Sequence, residues 1–371
     1  MASRVFLVPG FFGFTNLGDF AYFSHFKEEL QDLLAKEGSS AIVHPLDTLP
    51  TSSILLRARR LLDHIKAQSE PGDEIHLVGH STGGLDARLL ASEGLTIQGR
   101  EDVLAGIRSV VTIATPHRGT PTAAFFTSLL GQRLLRLLSL VTVATIRLGS
   151  VPLPALVSLG GAFASTGALS WASGGVADQV YKQVLKDFDD DRRRSLEEFF
   201  DKAYEDQTLL PQLSPEAMDV VNAIAKPAAH VRCGSVVAMA PAPSIERQRA
   251  LGVRPMWHAQ YGIYRGLHLL ASTTPETLHN YPDAAQRRVL VKAFGDVPKQ
   301  SDNDAMVPAL SQVWEKVIHA GYADHMDVMG HFHGPGLHPR HVDWLRTGSD
   351  FGRAEFRELL GAVAKFIVAP S

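Results

Sequence analysis

Over the first 119 residues, short apolar runs alternate with stretches in which apolar residues recur every three or four positions. That alternation predicts strands interleaved with amphipathic helices, and so a mostly parallel sheet covered by helices on both faces. Residues 5–8 form a first strand, broken by Pro9-Gly10. Phe23, Phe26, Leu30, Leu33 and Leu34 then give a helix from about Asp19 to Lys36, with Gly38 as its stop signal. A second strand falls near 41–44, and a second helix begins after Thr51-Ser52-Ser53 and carries Ile54, Leu55, Leu61, Leu62 and Ile65. Strand three, 74–78, runs into Gly79-His80-Ser81-Thr82-Gly83 and a helix through Leu85, Leu89 and Leu90. Strand four, 109–114, ends at Thr115-Pro116-His117-Arg118-Gly119.

Beyond residue 119 the regular alternation stops. Residues 120–229 carry helical patterns without clear strands, and 148–177 contain no charged residue. That uncharged stretch has the length of a membrane span, but Pro152, Pro154 and its glycines break a continuous apolar helix, so it reads as buried core or as an apolar lid over a site. The charge run 187–206 reads as the solvated face of a helix. Strand-like patterns return at 231–238 and 288–294, separated by an aromatic-rich insertion with Trp257, Tyr261 and Tyr264, and a closing helix lies around 356–367. The organisation expected is a single domain over 1–371, with its core in 1–119 and 230–371 and a helical cap inserted at about 120–229.

Composition narrows the partners. Thirty-six basic against thirty-nine acidic residues give a net charge of −3, with the signs interspersed, so nothing points to nucleic acid. A single cysteine, Cys233, excludes an internal disulfide and any multi-cysteine metal site, and its valine neighbours place it as a buried thiol on a strand. Met1-Ala-Ser-Arg leads straight into the first strand with no apolar leader segment, which reads as cytoplasmic, although a leader removed beforehand would leave the same beginning. Histidine is conspicuous at 16 residues, with His319, His325, His331, His333, His338 and His341 crowded near the C-terminus.

The pentapeptide Gly79-His80-Ser81-Thr82-Gly83 between a strand and a helix carries the strongest chemical signal. A sharp turn there would project the Ser81 hydroxyl above the strand end, with the helix N-terminus behind it favouring developing negative charge. Side chains in place of the glycines would clash with the neighbouring elements. A serine hydroxyl needs a histidine base held by a carboxylate, in the chain order Ser, acid, His. Ser301-Asp302-Asn303-Asp304 and Ala323-Asp324-His325 supply that order.

On these residues the chain resembles the bacterial triacylglycerol lipases of the α/β-hydrolase superfamily. Asp304-Ala-Met-Val-Pro308 matches their acid loop, Asp324-His325-Met-Asp327 their histidine loop, and Ala114-Thr-Pro-His-Arg-Gly119 the segment after the fourth strand. The resemblance implies Ser81 as nucleophile, Asp304 as acid and His325 as base, with Asp302 the rival acid and His331 and His333 the rival bases. It implies an oxyanion hole from the backbone N–H groups of Thr82 and Phe11, in a loop where Pro9 replaces the family's histidine. His117 is then structural, and Phe12, Phe14 and His80 line the substrate site. The implied activity is hydrolysis of hydrophobic acyl esters through an acyl-enzyme, with acyl transfer, thioester or amide cleavage by the same residues as alternatives. A non-catalytic binding protein and an acyl-binding protein at a membrane surface, using 148–177, complete the alternatives. No cofactor is required; relatives often hold calcium near the histidine loop, where Asp327 corresponds to a ligand, while the spacing of His331, His333, His338 and His341 matches no zinc pattern.

Overall fold

The computed structural model describes residues 2–11, 22–23, 25–49, 51–94, 97–127, 206–273, 281–332 and 345–370, with isolated positions at 182, 186, 190, 193, 194 and 343. Six strands, β1 (Ser3–Val8), β2 (Ile42–Pro45), β3 (Glu74–His80), β4 (Ile107–Ile113), β5 (Arg232–Met239) and β6 (Lys316–Tyr322), form one sheet in the order β2-β1-β3-β4-β5-β6. Every pairing is parallel. The chain therefore steps outward from β1 to β2, then back across to β3 and on towards β6. Because parallel crossovers are right-handed, that reversal places α1 (Phe26–Lys36) on one face and α2 (Ile54–Gln68) on the other. Helix α3 (Thr82–Leu90) joins α2, and the C-terminal helix (Arg353–Val368) packs with α1.

Local chemistry explains these boundaries. The Ser53 side chain accepts from Leu56 N–H at the start of α2, and Leu61, Leu62 and Ile65 turn inward. The inner residues of β1, Val5 to Val8, are at most 1% exposed, as a strand covered on both faces requires. Short helices α4 (Glu101–Gly106) and α5 (Pro121–Phe126) flank β4, and α6 (Leu209–Gln212) and α7 (Pro215–Ile224) precede β5. After β5 come α8 (Ile245–Ala250) and α9 (Pro255–Ala271), the latter containing the aromatic residues Trp257, Tyr261 and Tyr264. Cys233 lies in β5, where burial pushes its thiol up to about 12.

One expected strand is a helix. Residues 288–294 belong to α10 (Ala284–Phe294), which opens on a capping box between Asp283 and Gln286 and closes on Gly295 at φ 84°. Leu290 faces inward, forming with Val237, Val313 and Val317 a small satellite core beside β6. Among the described residues the last strand is β6, immediately before the histidine loop.

Most of the expected cap lies outside the described residues. Its C-terminal part is hydrogen-bonded to the body: Leu209 N–H donates to Thr51, Ala228 N–H to Ala91, and Ile54 N–H to the Gln212 side chain. Among the described residues no helix is long and apolar enough to cross a membrane.

Candidate active site

The reversal in strand order falls between β1 and β3, whose C-terminal ends carry Gly10 and Ser81. In open parallel sheets this switch point is where a crevice forms. Ser81 sits at φ 54°, ψ −130°, an uncommon conformation for a residue with a Cβ. Its amide donates to Ile113 O across the sheet at 2.9 Å, and Thr82 begins α3 directly behind it. The turn closes only with glycine at position 83, where a Cβ would come within 2.2 Å of the Val8 carbonyl oxygen. Gly10 is the matching close approach from β1, since a Cβ there would lie 2.6 Å from that of Ser81.

The acid and the base arrive from the far side of the sheet. Ala240 N–H bonds Asn303 O and Ala323 N–H bonds Met239 O, so both loops are anchored at the end of β5. His325 Nδ1 lies 2.7 Å from Asp304 Oδ2, and His325 N–H donates to the Asp304 carbonyl at 2.9 Å. Asp304 has no exposed surface, and its Oδ1 accepts from the amides of Met306 and Val307 at 2.9 and 2.7 Å. It is thus Asp304 that bonds His325, while the Asp302 carboxylate accepts from Lys299 N–H in its own turn.

Gln312 was not foreseen from the sequence. Its amide donates to Asp304 Oδ2 (3.2 Å), Ala238 O (3.0 Å) and Val307 O (3.2 Å), and its oxygen accepts from Ala238 N–H (2.7 Å). Two of these bonds splice the acid loop to β5 much as an extra strand residue would. An isolated glutamine in a loop gives no sequence signal for that role.

His117 is buried, donates through Nε2 towards Thr112 Oγ1 at 3.0 Å and stacks on Trp314 at 4.9 Å. Burial holds its ring well below the usual histidine range, the fixed charge of Arg88 adding to the effect. His80, expected on a substrate surface, is fully buried, with one ring nitrogen 2.7 Å from Tyr22 Oη and the other 2.9 Å from His325 O. It therefore sits behind the site rather than lining it. His331 Nε2 faces Tyr22 O at 3.0 Å. Phe11 is half-buried against the core, whereas Phe12, Phe14 and His333 lie outside the described residues.

The loop after β1, which begins Pro9-Gly10, is braced from below. Arg57 and Asp86 are both without exposed surface and pair at 2.7 Å. The same guanidinium donates to Pro9 O at 3.0 Å and reaches Gly10 O at 3.5 Å. In a trans peptide the N–H points opposite to the C=O, so the Phe11 N–H is turned away from Arg57.

A second polar cluster flanks the histidine loop. Carboxylate oxygens of Asp324, Asp327 and Asp343 lie within 4.8 Å of one another, all three residues buried. Asp324 Oδ1 accepts from Met326 and Asp327 N–H, and Asp327 Oδ2 from Asp324 N–H and Ser349 Oγ. Among the described residues, Asp324 Oδ2 and Asp343 Oδ1 have no hydrogen-bond partner. Burial, reinforced by the neighbouring carboxylates, raises Asp327 and Asp343 well above the usual range and Asp324 to about 7.

A parallel sheet with a strained serine at the switch point, a buried acid and a histidine at its far side defines the α/β-hydrolase fold. No family model matches the sequence, and no curated protein matches it. In structure the chain is similar to EstA from Clostridium botulinum, at 18% identity and TM-score 0.50 over 99% of this chain and 87% of that one. It is likewise similar to Staphylococcus hyicus lipase, at 15% identity and TM-score 0.50 over 99% and 95% of the two chains.

Proposed function

We propose that this protein is a serine carboxylester hydrolase of lipase or esterase type. The observation that carries the reading is the 2.7 Å bond between His325 and a fully buried Asp304, both anchored at the end of β5 two strands away from the strained Ser81. In this mechanism His325 takes the proton from Ser81 as its oxygen attacks the ester carbonyl. Asp304 holds the Nδ1 proton and stabilises the imidazolium that forms. The amides of Phe11 and Thr82 bind the oxyanion, the alcohol leaves with the proton from His325, and water activated by the same ring releases the acid from the acyl-enzyme. The half-buried Phe11, which follows the Gly10 that approaches Ser81, and the uncharged stretch 148–177 favour an acyl chain as substrate. The S. hyicus neighbour is a lipase, in keeping with that reading.

Hydrolysis of p-nitrophenyl esters of increasing chain length tests it. Turnover is expected, falling by about 10³-fold or more in Ser81→Ala. A Ser81→Ala variant as active as the wild type would overturn the mechanism.

For the acidic cluster, three buried carboxylates with two unpartnered oxygens suit a hard divalent cation such as calcium. Asp324, Asp327 and Asp343 would hold it, and its charge would pin the histidine loop to the segment around residue 343. No step of the reaction passes through it.

A further inference from the structure

The oxyanion loop follows β1 and the histidine loop β6, yet they meet through two side chains that belong to neither, Tyr22 and His80. Tyr22 is 2% exposed, and its hydroxyl lies 2.9 Å from Gly10 N and 2.7 Å from His80 Nδ1. The other nitrogen of that ring, Nε2, lies 2.9 Å from the His325 carbonyl. A carbonyl only accepts, so His80 Nε2 carries the ring proton and Nδ1 is the acceptor. Tyr22 O–H therefore donates to His80, and its oxygen accepts from Gly10 N–H. One arrangement of protons satisfies the whole row. The backbone of Tyr22 is fixed as well, because His331 Nε2, from just past the histidine loop, donates to its carbonyl at 3.0 Å. Burial disfavours the charged forms of the His80 ring and the Tyr22 phenol, the two inner members of the row.

We infer that Tyr22 and His80 are positioning residues that fix the oxyanion loop relative to the base, through the row Gly10 N–H, Tyr22 O–H, His80 and His325 C=O. The inference rests on the hydrolase reading above. Neither side chain reaches the reacting atoms. Both instead tie Gly10, which touches Ser81, to the backbone of His325, whose ring lies 4.6 Å from that of His80 at a tilt of 46°. The oxyanion donors and the base act together only in the transition state, and a displacement of about 1 Å there can cost on the order of 10²-fold. Loosening the row should lower kcat while leaving KM in place.

Tyr22→Phe keeps the ring and removes the hydroxyl. It should lower kcat on a p-nitrophenyl ester by about ten- to a hundredfold with KM within about twofold of wild type. His80→Gln, whose amide can both accept from Tyr22 and donate to the His325 carbonyl, should retain more of kcat than His80→Met. That pair carries the same comparison if Tyr22→Phe does not fold, as judged by circular dichroism. Nitrogen-15 NMR of the histidine-labelled full chain should show His80 as the Nε2–H tautomer. Ester turnover with kcat unchanged in Tyr22→Phe, or equal losses in the two His80 variants, or an Nδ1–H tautomer, overturns the inference and leaves the hydrolase reading standing. A wild type that turns over no ester removes that reading and the inference together.

Discussion

Arg57 is among the largest side chains with no exposed surface, and it does two jobs from one position. It neutralises Asp86, and it presents the remaining guanidinium hydrogens to the carbonyls of Leu49, Pro9 and Gly10. Burial pushes the Asp86 carboxyl up to about 6 despite that pairing, a measure of how dry the pocket is. Removing one partner strands the other charge, so Arg57→Met should destabilise the fold by about 3–5 kcal/mol in urea unfolding. The double variant Arg57→Met/Asp86→Leu should recover much of that loss, because two well-packed apolar side chains replace an ion pair that was costly to desolvate. Its kcat should stay low, since nothing then holds the Pro9 and Gly10 carbonyls. At this scale Ser81, Asp304 and His325 were legible because their local strings match a motif in the right order. Arg57, Gln312 and Tyr22 were not: each acts through hydrogen bonds to several residues, among them one far away in sequence, and its neighbours along the chain say nothing about them.

Among the elements, the pairing of β3 with β4 carries a pH dependence. His76 is 4% exposed in the sheet, with Nδ1 2.8 Å from Ser109 Oγ, and burial lowers its pKa to about 4 against 6.5 when exposed. Between those values the unfolded chain takes up a proton that the folded chain refuses, so stability rises with pH across the window. The contribution is full above about 6.5 and lost as pH falls towards 4, amounting to about 3 kcal/mol in the limit. His76→Gln should flatten the melting temperature against pH between 4 and 6.5, and an unaltered slope would discount His76 as the cause. The helix α10 shows where pattern reading fails. Val289, Leu290, Val291, Ala293 and Phe294 crowd together like a strand, and only the capping box at Asp283 and the satellite core under Leu290 reveal a helix with one inward residue. A short apolar run has no intrinsic period strong enough to separate the two.

For the molecule as a whole, the acidic cluster joins the histidine loop to Asp343 and Ser349, close to the start of the C-terminal helix. Calcium binding to the folded chain alone should raise the melting temperature, by an amount equivalent to about 2.7 kcal/mol at a hundredfold excess over Kd. A chelator should reverse the shift, and Asp327→Asn should abolish it. A melting temperature indifferent to calcium and to chelator would dismiss the site.

The sequence by itself determined the alternation of strands and helices through residue 119, the serine elbow and the order in which serine, acid and histidine occur. Those features follow from local periodicity, from glycines that only a tight turn requires, and from short strings whose neighbours along the chain are their neighbours in space. Tertiary structure decided that Asp304 is the carboxylate bonded to His325, that His80 is buried behind Ser81, and that Tyr22, Arg57 and Gln312 join the loops they support. Each of those depends on hydrogen bonds across a folded sheet, where direction and distance matter and separation along the chain does not. The histidine surplus divides along the same line: His325 was marked by its motif, whereas His80, His117 and His331 acquired their partners only when β3, β4 and the loop after β6 came together.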